Sequence, residues 1–256
     1  MSTIALAEPP LVLYLLRRAD DSLVLGHRLS EWCGHAPTME EDMAMSNIAL
    51  DLIGQARSLY QYAAERDGGA RTEDDLAYLR DAPQYRNALL VEQPNGDFAK
   101  TMMRQFLYSA FADAYWRAMM RSTDAMLAAI AAKSEKESAY HLRHASEWVI
   151  RLGDGTAESA RRLAEAREDL LPYIGELFEA DDAERDLIAQ GIAVDPQTLR
   201  ETFDATVAQV FSRAKLGTSE VAWSQTGGRA GRHSEHLGHM LAEMQHLQRA
   251  YPGATW

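Results

Sequence analysis

Apolar side chains return every three or four positions through most of the chain, and no stretch alternates apolar and polar residues as a strand does. The clearest case surrounds ALDLIGQARSLYQYAAE (49–65). There Met45, Ile48, Ala49, Leu52, Ala56, Leu59, Tyr60 and Ala63 share one face of a helix. Local signals divide the rest. Pro9 and Pro10 precede a helix over about 10–33, with Asp20-Asp21 as a place where it can break, and GHAP (34–37) ends it. Thr38 with Glu41 forms a capping box for a second helix that Gly68-Gly69 stops. Residues 68–97 carry Pro83, Pro94 and an Asn95-Gly96 turn signal and read as a long ordered connection. Asp97 then caps a helix to about Arg121, and Ser122-Thr123-Asp124 opens another that Gly153 and Gly155 close. Further helices are expected over about 156–180, 197–216 and 234–250, the last after a Gly-rich basic loop, QTGGRAGRH (225–233). Four long helices with one long crossover between the second and third predict an all-α, ferritin-like four-helix bundle with additional helices. No repeat or linker splits it, so one domain over 1–256 is expected.

Charge narrows the function classes. Lys plus Arg is 26 and Asp plus Glu is 38, a net charge of −12. That balance argues against nucleic-acid and anionic-membrane binding, which need a basic surface, and leaves room for a basic protein partner. Cys33 is the one cysteine, so no internal disulfide forms, which fits a reducing cytoplasm. The apolar run LVLYLL (11–16) is too short to span a bilayer and lacks the basic lead of a signal peptide.

The candidate chemistry lies on the inward faces. A ferritin-like di-iron site takes one acidic residue from each of two helices and Glu-x-x-His from each of the other two. Here the second helix offers Leu52-x-x-Gln55 and the fourth offers Ser138-x-x-His141, while Ser109 sits near the middle of the third. Glu31 follows Leu23, Val24 and His27 at helical spacing and is expected to point inward. Glu137 is one residue off register, about 100° away. Only Glu31 and His141 would ligate iron well, and Leu52 has no lone pair, so a working di-iron centre is not expected. A single inward Gln, Ser or His is an ordinary hydrogen-bonded core residue. Polar groups at matching depth on four helices form a pattern, and that pattern predicts a residual hydrogen-bond cluster of Glu31, Gln55, Ser109 and His141 around a water or cation.

A second constellation is the stripe His233, His236, His239, Glu243 and His246 near the C-terminus. Its spacing suits zinc or nickel, but one helix does not encircle a metal. Leu237, Met240, Leu241, Met244 and Leu247 beside it favour a partly buried interface helix. TGGRAGR lacks the Lys-Ser/Thr ending of a phosphate loop; it either meets an anionic group through Arg229, Arg232 and backbone N–H groups or is a plain connector. Neither GTSEVAWS (217–224) nor SAYH (138–141) is a nucleophile elbow.

Six segments together carry a resemblance: LGHRLSEWCGHAP, NIALDLIGQARSLYQYAAE, LLVEQPNGDFAKTMMRQF, KESAYHLRHASEWVIRLGDGT, GIAVDPQTLR and TGGRAGRHSEHLGHMLAEMQHLQR. The chain resembles the C subunits of bacterial phenylacetyl-CoA epoxidases, which serve aerobic phenylacetate catabolism. The resemblance implies a ferritin-like subunit, related to the catalytic A subunit, with no cofactor or working di-iron site of its own. In that family the A subunit holds the iron and oxidises the aromatic ring with oxygen. A reductase subunit with flavin and an iron–sulfur cluster supplies electrons from NADPH. Leu52, Gln55, Ser109, Ser138 and His141 then fall at ligand positions of the catalytic relative. The resemblance also places Gln84, Tyr85, Arg86 and Asn87, and Arg185, Asp186 and Leu187, near the coenzyme A end of the substrate, with 84–87 expected to be an exposed, partly basic turn. Two rival readings stay open: an independent metal-dependent oxygenase using the C-terminal His/Glu stripe, and a stand-alone acyl-CoA-binding bundle.

Overall fold

The computed structural model describes residues 8–217 and 223–254. The centre of GTSEVAWS, residues 218–222, lies outside the described residues. Every regular element among them is helical, and none is long and apolar enough to cross a membrane. Helix α1 (Pro10–Ser30) packs along α2 (Met39–Arg66), and α5 (Phe98–Met119) packs along α6 (Ala125–Gly153). The crossover between the pairs holds α3 (Glu73–Tyr78) and α4 (Leu89–Glu92). This is the ferritin-like arrangement.

The two central helices differ from the two outer ones. α5 is buried on nearly every side, between α6, α7 (Ala157–Leu170) and α9 (Arg200–Arg213). Its apolar residues fall on every side rather than in one stripe, which suits a core helix. α1 is buried as thoroughly although Arg17, Arg18, Asp20 and Asp21 lie in its middle. It runs unbroken through Asp20-Asp21, because both carboxylates find partners in the segments that cover it. α2 and α6 each bury one face and expose the other, as their amphipathic patterns predict.

Two expected helices are divided. The stretch expected over 156–180 stops as α7 at Leu170, because Pro172 lacks the N–H that would continue it. Short 3₁₀ turns follow, and then α8 (Asp182–Ala189). The last helix breaks at Gln245 into α10 (Glu235–Met244) and α11 (His246–Ala250). The Gln245 side chain is buried there and donates to the Arg80 carbonyl at 2.9 Å and the Tyr85 hydroxyl at 3.2 Å.

Candidate functional site

Leu52, Gln55, Ser109, Ser138 and His141 are all buried in the bundle. Glu31 is not. α1 ends at Ser30, so Glu31 caps its C-terminus with a side chain 40% exposed, held by Arg28 at 2.8 Å and Asn95 at 2.8 Å. The expected single cluster is replaced by separate pairings. Gln55 Nε2 donates to Glu137 Oε2 at 2.9 Å, and His141 Nε2 lies 3.0 Å from Asp51 Oδ2. His144 Nε2 lies 2.9 Å from Glu41 Oε2. Ser109 accepts from Gln105, one turn back on its own helix, at 3.0 Å. The first three pairs form a ladder along the α2–α6 seam. Asp51 and Glu137 each sit one residue before an expected ligand position, Leu52 and Ser138, and that rotation takes both carboxylates from the bundle centre to the seam.

This donor set does not fit a pair of iron ions. Two such cations need several carboxylates to balance their charge. The five buried candidate positions hold a hydrocarbon, an amide, two hydroxyls and an imidazole already paired with Asp51. Among the described residues no group of three or more His, Cys, Asp and Glu is placed to hold a metal. The C-terminal stripe is also dispersed. His233 precedes α10 and is buried against Glu92, with Nδ1 2.7 Å from its carboxylate. His246 lies beyond the break at Gln245, while His239 and Glu243 face solvent.

The densest polar chemistry surrounds α1. Asp20 accepts from Tyr60 at 2.5 Å, from the Arg86 backbone N–H at 2.7 Å and from the Arg80 guanidinium. Asp21 accepts from the Ala88 N–H at 2.7 Å and from Arg229 at 2.7 and 2.9 Å. Burial raises the Asp21 pKa, and Arg229 and Arg18 partly offset it. Glu176 accepts three backbone N–H groups, those of Leu89, Gly227 and Arg229, at 2.8, 2.9 and 3.0 Å. The Gly-rich loop therefore does bind an anion through its backbone, and that anion is the protein's own Glu176. Gly228 allows the approach: a Cβ there would lie 2.2 Å from the Asn87 carbonyl oxygen. Arg104 is the exception among the buried cations. It donates to the Gln93 carbonyl and to Asn95 rather than to a carboxylate, and burial, with Arg28 nearby, pushes its pKa down to about 9.

The segments expected to meet coenzyme A are placed unevenly. Residues 84–87 are not an exposed turn as a whole: Tyr85 and Asn87 are fully buried. The Tyr85 hydroxyl is tied to the Ala77 carbonyl, and Asn87 Nδ2 donates to Glu92 at 2.8 Å. Gln84 is exposed and Arg86 half-buried, with Arg86 donating to the Pro83 and Tyr85 carbonyls at 2.7 Å each. On α8, Leu187 is buried while Arg185 and Asp186 are exposed. Asp186 lines a cleft of about 490 Å³ with Glu65, Arg66 and the start of α1.

From residue 2 to residue 256 the chain matches the family model described as phenylacetic acid catabolic protein. The chain belongs to that family. It is similar to the C subunit of 1,2-phenylacetyl-CoA epoxidase from Escherichia coli (strain K12), with 49% identity over 246 residues, 96% of this chain and 99% of that relative. Within this family frame the ladder residues Glu41, Asp51, Glu137 and His144 are ones that the ligand positions alone do not single out. Their signal in the sequence is the 51/55 and 137/141/144 spacing, which puts a polar row beside each apolar stripe.

Proposed function

We propose that this chain is the non-catalytic, structural C subunit of a multicomponent phenylacetyl-CoA ring epoxidase. It pairs with a homologous di-iron A subunit and supports that protein's fold and substrate binding. The observation that carries the reading is the pairing of Leu52-x-x-Gln55 with Ser138-x-x-His141 at the ligand positions of a ferritin-like bundle. There the neighbouring carboxylates, Asp51 and Glu137, join α2 to α6 instead of facing a metal. The membership of the family and the similarity to the epoxidase relative support it. In this reading the iron belongs to the partner, and flavin, iron–sulfur cluster and NADPH belong to a reductase subunit in the same cytoplasmic complex. The test is NADPH-dependent oxidation of phenylacetyl-CoA. This chain alone gives no turnover, and it restores turnover when combined with the A subunit and the reductase. Turnover by the isolated chain overturns the proposal.

The same reading sets the coenzyme A end of the substrate near the exposed side chains of Gln84, Arg185 and Asp186 and the half-buried Arg86. Tyr85, Asn87 and Leu187 act behind them as packing. Arg86→Ala is expected to raise the complex's KM for phenylacetyl-CoA about fivefold with kcat unchanged, the pattern of lost uniform binding. An unchanged KM removes Arg86 from the substrate's path.

A further inference from the structure

The Asn95-Gly96 turn is the joint between the end of α1, the crossover and α5. Asn95 Nδ2 donates to the Arg28 carbonyl at 2.7 Å and to Glu31 Oε2 at 2.8 Å, both at the end of α1. Its Oδ1 accepts from the Arg104 guanidinium of α5 at 2.6 Å, and its main-chain carbonyl accepts from Thr101 Oγ1 at 3.0 Å. One amide side chain therefore ties two helices to the crossover. Gly96, beside it, is exposed. It holds a left-handed φ of +57°, and a Cβ there would lie 2.9 Å from Lys100 Cδ, so the position takes glycine. Among the described residues its N–H meets no hydrogen-bond acceptor.

This pairing carries its own chemistry. The Gly96 nitrogen can bond to Asn95 Cγ in an intramolecular ring closure, and glycine has no side chain to hinder it. The nitrogen loses its proton as the bond forms. The Cγ–Nδ2 bond breaks, and Nδ2 departs as ammonia with that proton. Water then opens the cyclic imide. Cleavage between the Gly96 nitrogen and Cγ gives aspartate; cleavage between that nitrogen and the Asn95 main-chain carbonyl carbon gives isoaspartate. Water is the one co-reactant. Asn47 and Asn87 precede Ile48 and Ala88, whose side chains obstruct the same attack.

We propose that Asn95-Gly96 is a self-modification site, where loss of ammonia unties the end of α1 from the crossover and gives Arg104 a carboxylate. The surroundings of Asn95 fix this outcome. Nδ2 faces two acceptors, and a carboxylate oxygen in its place has no proton to donate. It also meets Glu31 with like charge, so both ties to α1 are lost. On the other side, Arg104 is fully buried with no carboxylate in contact and with Nε unpartnered. The new carboxylate pairs with it in a charge-assisted bond. Departure of ammonia makes the change one-way. In the closed joint the side chain is held at both ends, so conversion runs through local openings and its rate follows the open fraction. The proposal is independent of the function proposed above.

The experiment ages the full chain at neutral pH and follows each asparagine by peptide mass and by enzymatic labelling of isoaspartate. Asn95 is expected to convert while Asn47 and Asn87 keep their amides. Glu31→Ala, which removes one contact of Nδ2 at a part-exposed position, is expected to speed conversion about fivefold. The converted chain, separated by its added negative charge, is then compared with the unconverted chain by hydrogen exchange. The Glu31 and Trp32 amides, bonded to the His27 and Leu29 carbonyls, are expected to exchange about tenfold faster after conversion. Asn95→Asp is expected to show the same change without ageing. Three results each overturn the proposal: an Asn95 that outlasts or matches the other two asparagines, a Glu31→Ala chain that converts no faster, and a converted chain whose exchange at the end of α1 is unchanged.

Discussion

At the residue scale, a one-position shift decides the chemistry. Asp51 precedes Leu52 and Glu137 precedes Ser138, so the carboxylates are close in sequence to ligand positions yet face the seam. Their hydrogen bonds to His141 and Gln55 hold helices together and each contributes about 1 kcal/mol. The buried acids of α1 matter more. Asp20→Ala leaves the Arg80 guanidinium buried without its counter-charge. It is expected to cost about 3–5 kcal/mol, against about 1 kcal/mol for Gln55→Leu, read by urea unfolding of both variants. Gly228→Ala, by forcing a Cβ against the Asn87 carbonyl, is expected to cost about 2–3 kcal/mol and to release the Gly-rich loop to proteolysis. A neutral Gly228→Ala would contradict the close approach on which the loop's docking depends.

At the element scale, periodicity tells which helices exist, and long-range partners tell where they end and what covers them. The four bundle helices and the crossover are legible because caps and apolar stripes are local features. The breaks at Pro172 and Gln245 differ in kind. Pro172 is visible in the sequence, but the break at Gln245 depends on the Arg80 carbonyl and Tyr85 hydroxyl, which lie far away along the chain. The same limit misplaces Glu31, which needs only the true end of α1, and the 84–87 turn, which is covered by the C-terminal region. Buried phenols tie elements together and set an alkaline limit. Tyr14 of α1 meets Tyr115 of α5 with the hydroxyls 2.6 Å apart. Burial pushes Tyr14 up to about 12 and raises Tyr115 and Tyr60 well above the usual range. Because the folded pKa values are raised, the folded chain holds protons that the unfolded chain releases near pH 10. This contribution is full below about pH 10 and is lost as pH climbs through about 12. The melting temperature is therefore expected to fall between those limits, and Tyr14→Phe to shallow the slope. A melting temperature independent of pH over that range would rule the phenols out as its cause.

At the scale of the whole molecule, the bundle has kept its architecture while its polar groups serve packing. α1 and α5 form a fully enclosed centre. The crossover, the 171–185 segment and the Gly-rich loop close over α1 through Asp20, Asp21 and Glu176. α2 and α6 expose several large apolar side chains, Met39, Met43, Leu50, Met126 and Tyr140, among charged ones. The proposed role as a non-catalytic subunit accords with that design and with the lack, among the described residues, of a cluster of His, Cys, Asp and Glu placed to hold a metal. The most direct check is the iron content of each component after the reconstituted complex is separated. The account predicts iron on the catalytic partner and substoichiometric traces on this chain. Near-stoichiometric iron on this chain, lost on substitution of His141, would contradict it.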